Sequence, residues 1–234
     1  MKKIFNTRVW HRRLGIIFCF FVLLASGSGI LHNVLTWTQS PPPRPLPSAS
    51  LDPKRLTFPL SALTGRWNEP ITLVTIRELS GKPVYQIFRE GISVPTYVSA
   101  ETGIDLPDAD ALLAAEIASR HLGGIPVRQT DYLTAFNREY LSIFRILPVY
   151  RLDADDPQGT RVYVSTLTGS VTRHTDHHRQ LNSTLFSLLH KFAFIPNKNI
   201  RNSVLTATTF GIFITALAGM LLYFKPRASK STPS

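Results

Sequence analysis

Residues 83–103, PVYQIFREGISVPTYVSAETG, and residues 148–169, PVYRLDADDPQGTRVYVSTLTG, are two versions of one phrase. Each opens on Pro-Val-Tyr, alternates apolar and polar residues as a half-buried strand does, turns, and runs into a second strand Tyr-Val-Ser that closes on Thr-Gly. The copies lie 65 or 66 residues apart, and the chain is read as an internal repeat of strand hairpins. Gly103 and Gly169, at equivalent places, supply the positive backbone angle needed to leave the second strand.

Working outward, Asp108 to His121 reads DADALLAAEIASRH between the copies. An Asp cap, Leu112, Leu113, Ile117 and Leu122 at helical spacing, and a Gly123-Gly124 stop predict an amphipathic helix. A second strand pair is expected over Asp131–Leu147, and a weaker helix-then-strand pattern over Leu60–Trp67 and Ile71–Leu79. Each copy then reads as one helix on one antiparallel sheet. The expected fold class is α+β: two helix-plus-antiparallel-sheet units, 56–107 and 108–180, between two transmembrane helices.

The flanks set the compartment. Residues 14–35 (LGIIFCFFVLLASGSGILHNVL) and 203–224 (SVLTATTFGIFITALAGMLLYF) are apolar runs, and about 22 residues span ~33 Å at the helical rise. The net charge of +11 would suggest nucleic acid were it spread over a folded surface. Eight of those charges instead belong to the N-terminal segment 1–13 and the tail 225–234, on the outer ends of the apolar runs. By the positive-inside pattern both ends are cytoplasmic and the middle lies across the membrane, with the lipid bilayer as a partner and no nucleic acid. A cleaved signal peptide competes at Ala25-Ser26-Gly27, but the apolar run continues past that point to Leu35.

Between membrane and repeat, residues 36–55 are a Pro-rich spacer, and 181–202 form an amphipathic approach to the second span. Ala207, Gly211, Thr215 and Gly219 recur every four residues, a face of small side chains on which another helix can pack. Ala25 and Gly29 offer a matching pair in the first span, with homodimerisation through the same face as the alternative. The single Cys19 lies within a span and has no internal disulfide partner.

Taken together, these residues resemble the PepSY-associated transmembrane proteins of bacteria. Trp10-His11-Arg12-Arg13-Leu14-Gly15 is similar to that family's opening of the first span, the paired YVSAETG and YVSTLTG to its hairpins, and Leu185-Phe186-Ser187-Leu188-Leu189-His190-Lys191-Phe192 to its return to the membrane. The exit at Gly219 and Tyr223-Phe224-Lys225 matches as well. The larger members have four or more spans and this chain has two. What the resemblance implies is an inner-membrane protein with a periplasmic domain. Some members are linked to ferric-siderophore reduction or iron uptake and carry haem, while isolated PepSY domains inhibit or chaperone peptidases.

Candidate chemistry is sparse. No H-E-x-x-H, G-x-S-x-G or phosphate-binding glycine loop occurs, so no catalytic residue is assigned and the chain is not expected to be an enzyme. His32 at the end of the first span and His190 on the approach to the second are the residues that could hold a haem b between two imidazoles. His11, about 31 Å away along a straight helix, is a third candidate at the opposite membrane face. His174, His177 and His178 with Asp176 in RHTDHH contain metal-ligand residue types at a spacing poorly suited to one tetrahedral ion. The reading is therefore a cofactor-free accessory protein that binds another protein, with the haem-bearing electron-transfer subunit as the alternative.

Overall fold

In the computed structural model residues 7–47 and 50–224 are described; the charged ends at Lys2, Lys3, Lys225, Arg227 and Lys230 lie outside them. The chain is mixed α and β, with two antiparallel sheets between two long apolar helices, α1 (Thr7–Trp37) and the last helix, α4 (Lys198–Phe224). Both are long and apolar enough to cross a membrane. The chain divides into two compact units. One holds residues up to Gln39 and from His178 onward, and the other is Ser40–His177.

The Ser40–His177 unit contains a three-stranded sheet, β1 (Ile71–Leu79), β2 (Lys82–Arg89) and β3 (Thr96–Ser99), then helix α2 (Ala109–His121). A four-stranded sheet follows, β4 (Val127–Leu133), β5 (Val149–Ala154), β6 (Arg161–Ser165) and β7 (Ser170–Thr175), each sheet ordered as in the chain. The repeat survives in the register. Tyr85 stands opposite Val98 and Gln86 opposite Tyr97; their counterparts pair likewise, Tyr150 with Val164 and Arg151 with Tyr163.

Two expectations are corrected. Leu60–Trp67 is not a helix: only Leu60–Leu63 forms a short 3-10 turn, closed by Pro59 before it. Asp131–Leu147 does not form a strand pair, since after β4 the chain folds as a loop with one 3-10 turn at Ser142–Phe144. Within the Pro-rich segment, Leu46 N–H donates to the Arg120 carbonyl at 2.8 Å, in the last turn of α2.

With no α-helix before β1 among the described residues of this unit, α2 serves both sheets. Ala109 and Leu113 pack on Leu79, Val84 and Tyr97, while Ala114, Ala118 and Leu122 pack on Tyr150, Leu152, Val162 and Val164. Equivalent residues of the two copies therefore face opposite ways with respect to the shared helix. The face left over in the first copy (Tyr85, Ile87, Val98) is covered by Phe58, Leu63 and Trp67, and that in the second (Val149, Tyr163) by Tyr140 and Phe144 from the loop after β4. The loop is apolar because it roofs a sheet face that would otherwise meet water.

A buried polar knot ties these layers together. The Asp110 carboxylate, in the first turn of α2, accepts the Tyr97 hydroxyl at 2.6 Å and the Tyr150 hydroxyl at 2.8 Å, one from each copy. Gln86, fully buried, donates from Nε2 to Tyr97 Oη at 2.7 Å and to the Thr166 carbonyl at 2.9 Å. Its Oε1 accepts from Thr75 and Arg77. Burial, and then the hydrogen bond to Asp110, hold the Tyr97 and Tyr150 hydroxyls protonated well above the ordinary tyrosine range.

The helical unit is built on the α1–α4 pair. Half-buried residues recur at helical spacing along both, with Leu14, Phe18, Phe21 and Ala25 on one and Leu205, Thr208, Ile212 and Thr215 on the other. Gly211 faces Phe18 so closely that any side chain there would run into the ring, and a Cβ at Gly219 would stand 2.8 Å from His11 Cε1. Thr215 Cγ2 is 4.0 Å from where a Cβ on Gly15 would be. Ala207, on the same expected stripe, is exposed, and a side chain at Gly29 would meet nothing within 4 Å. The close approach is thus carried by Gly211, Thr215 and Gly219 against His11, Gly15 and Phe18.

Candidate functional site

The helical unit brings two of the three singled-out histidines together. Ser28, His32 and Thr36 project from α1 at intervals of four, and Asn182, Phe186 and His190 project at the same interval from α3 (His177–His190). Thr36 donates its hydroxyl to the His32 carbonyl at 2.7 Å, so its oxygen receives the Asn182 amide nitrogen at 3.2 Å. That fixes Asn182 Oδ1 as the acceptor of the His32 Nδ1–H at 2.8 Å. Ser28 likewise donates to the Ala25 carbonyl at 2.9 Å and receives the His190 Nδ1–H at 3.0 Å. Both imidazoles thus donate from Nδ1, which in the neutral ring leaves Nε2 as the acceptor, the arrangement typical of metal-ligating histidines.

The donor chemistry thus suits an axial ligand, but the space does not suit a haem. The Phe186 ring lies 4.7 Å from the His32 ring and 4.6 Å from the His190 ring, centre to centre. Being about equally far from both, it stands near the plane midway between them, where a porphyrin ligated from both sides would have to lie. The pair as arranged does not fit the macrocycle. His11 is placed apart from them, near the other end of α1, where its Nδ1 meets the Thr215 carbonyl at 3.0 Å. Ser28, Thr36, Asn182 and Phe186 were not singled out from sequence. A polar residue every fourth position at the end of an apolar run was the available signal.

The histidines of RHTDHH diverge. His174 Nδ1 lies 3.1 Å from His121 Nε2, the ring of His177 lies against Gly159 in the turn between β5 and β6, and His178 Nε2 is 3.3 Å from Thr38 Oγ1. Among the described residues no group of three or more His, Cys, Asp or Glu gathers around one point. The acidic residues work locally: Glu101 pairs with Arg55 at 2.7 Å, Asp153 with Arg151 at 2.9 Å, and Asp156 accepts the Thr160 N–H at 2.8 Å. The paired tyrosines are interior. Tyr85, Tyr97, Tyr150 and Tyr163 are all buried.

What the Ser40–His177 unit does present is an edge. The Tyr-Val-Ser strands are not available for it: β6 is paired on both sides, and β3 is covered by the segment after it, with Leu106 N–H bonded to Tyr97 and Ser99 N–H to Ile104. Of the outer strands β1, β3, β4 and β7, β1 and β4 differ in character. β4 exposes Arg128, Gln129, Thr130 and Asp131, a polar edge that discourages pairing, while both strands carry a register irregularity, at Gln129/Asp131 in β4 and at Ile71/Leu73 in β1. β1 is longer, paired only with β2, and leaves Leu73 53% and Ile76 40% exposed.

Comparison with protein-family models, with curated proteins and with solved structures finds no match.

Proposed function

We propose that the chain is a membrane-anchored, non-catalytic accessory protein of the bacterial inner membrane, of the PepSY type, whose Ser40–His177 unit binds another protein in the periplasm. The orientation, with both termini cytoplasmic, is supported by Arg8, Arg12 and Arg13 before one apolar run and Lys225 and Arg227 after the other. The observation that carries the binding role is the outer edge of β1. It is a nine-residue strand with exposed apolar side chains, paired with β2 on one side and with no strand on its outer side among the described residues, and such an edge accepts an extended partner segment by main-chain pairing.

A photo-crosslinking residue placed at Leu73 is expected to trap a partner in cells, and the same residue at Gln129 in β4 to trap none. Ile76→Lys, which puts a charge on that edge, should reduce the Leu73 adduct at least tenfold with the melting temperature of the chain unchanged. Equal adducts from both edges, or an adduct indifferent to Ile76→Lys, would remove strand addition from the reading.

The electron-transfer alternative rests on the Nδ1–H tautomers of His32 and His190 and is opposed by the position of Phe186. Oxidised and dithionite-reduced spectra of chain purified with ample haem are expected to show no b-type α-band. A band that disappears in His32→Ala or His190→Ala would make electron transfer the primary role.

A further inference from the structure

We propose that His121 and His174 form a two-imidazole site for a divalent first-row transition ion, Zn²⁺ or Cu²⁺, that pins the C-terminal end of α2 to β7. Zn–N bonds of about 2.0–2.1 Å at angles between a right angle and the tetrahedral angle place two ligating nitrogens roughly 2.9–3.4 Å apart. His121 Nε2 and His174 Nδ1 are 3.1 Å apart, and the rings meet edge to face at 71°. The distance that makes them hydrogen-bond partners is also the bite of a bidentate site.

The fold supplies this distance from rigid parts. His121 is the last residue of a 13-residue helix, and His174 pairs across the sheet with Val162, which belongs to the face packed on that helix. Alternation along β7 sends the neighbouring Arg173 to the other face, where it meets Phe144 and the Glu139 carbonyl, so its guanidinium does not compete for the site. Arg120, next to His121, is already paired with Glu116 and Glu78. A cation here also meets the negative end of the α2 dipole.

Both imidazoles are half-buried, close enough to solvent for an ion to enter and for water to complete its coordination. Burial lowers the proton affinity of His121, which keeps that ring in the neutral form a metal requires. Binding at both nitrogens requires the N–H proton between the rings to leave the nitrogen that carries it, so metal binding is coupled to a proton transfer. Imidazole donors favour copper and zinc over magnesium and calcium.

The test uses the full chain in detergent without a histidine tag, titrated with Cu²⁺ and Zn²⁺. The expected result is one tight Cu²⁺ per chain with two nitrogen ligands in its paramagnetic resonance spectrum, weakened at least tenfold in His121→Ala and His174→Ala and unchanged in His178→Ala. Zn²⁺ should raise the melting temperature of the wild-type chain but not of His121→Gln, which keeps a hydrogen-bonding side chain in place. That thermal comparison stands even if His174→Ala fails to fold. No binding by folded wild-type chain, equal binding by His121→Ala, or loss only on replacing His177 or His178 would overturn the site and leave the pair as a hydrogen bond.

Discussion

Asp110→Ala is expected to lower the melting temperature of the Ser40–His177 unit by roughly 10 °C. The carboxylate accepts hydroxyls from Tyr97 and Tyr150, one from each copy of the repeat. Without it, two buried donors lose their acceptor at about 1–3 kcal/mol each, partly offset because the carboxylate itself no longer has to be desolvated. A net loss of about 3 kcal/mol corresponds to that shift for a unit of this size. Tyr150→Phe, which removes one donor and leaves Asp110 bonded to Tyr97, should cost about half as much. If both variants melt within a degree of the wild type, the knot does not hold the two sheets on their common helix.

The same knot sets an alkaline limit. In the unfolded chain these tyrosines ionise near the ordinary value of about 10, whereas in the fold burial and then Asp110 keep them protonated beyond it. Above that pH the unfolded chain binds fewer protons than the folded one, so stability is full below about pH 10 and falls as pH rises further. The fall should be shallower in Asp110→Ala, as read from melts taken at successive alkaline pH values.

The second large effect belongs to the helical unit. Gly211→Leu drives a side chain into Phe18 at the closest approach of α1 and α4. Overpacking of this kind costs about 1–3 kcal/mol, and about 1.4 kcal/mol, in the lower half of that range, is already a tenfold loss of the paired state. Cysteines at Gly15 and Thr215, in a chain with Cys19→Ala, give a direct readout because those positions nearly touch. Crosslinking of this pair in membranes should fall about tenfold on adding Gly211→Leu and should be unaffected by Ala207→Leu, whose side chain is exposed. Equal loss from both variants would mean that the outward face of α4 is also packed, as in a homodimer.

What could be read from sequence followed the range of the signal. The hairpins of the two copies, α2 and its glycine stop, and the two apolar helices each declare themselves through a period or a cap within a few residues. The shared use of α2 did not. Leu113 and Ala114 are neighbours in the chain and serve different sheets, a distinction that helical periodicity blurs into one apolar face. The roof over the second sheet was mistaken for strands because Tyr140 and Phe144 are apolar for packing rather than for pairing. At the candidate site, His32 and His190 were legible as boundary residues, but their tautomers depend on Ser28, Thr36 and Asn182, whose roles arise only when distant segments meet. The edge of β1 was legible as a strand, while its lack of an outer neighbour is a property of the sheet.

One feature of the helical unit changes how the chain is to be counted. Thr38, just past the end of α1, meets His178, at the start of α3, with Thr38 Oγ1 3.3 Å from His178 Nε2. The residues from Ser40 to His177 are inserted in the sequence between these two meeting positions, where a helical hairpin would need only a turn. Closing so large a loop costs only a little more entropy than closing a short one, since the penalty grows with the logarithm of its length. The inserted domain can therefore lengthen, shrink or diverge at little cost to the hairpin that carries it, and a few residues could bridge the gap in its place. In evolutionary terms the hairpin is a socket and the β-rich domain its exchangeable cargo.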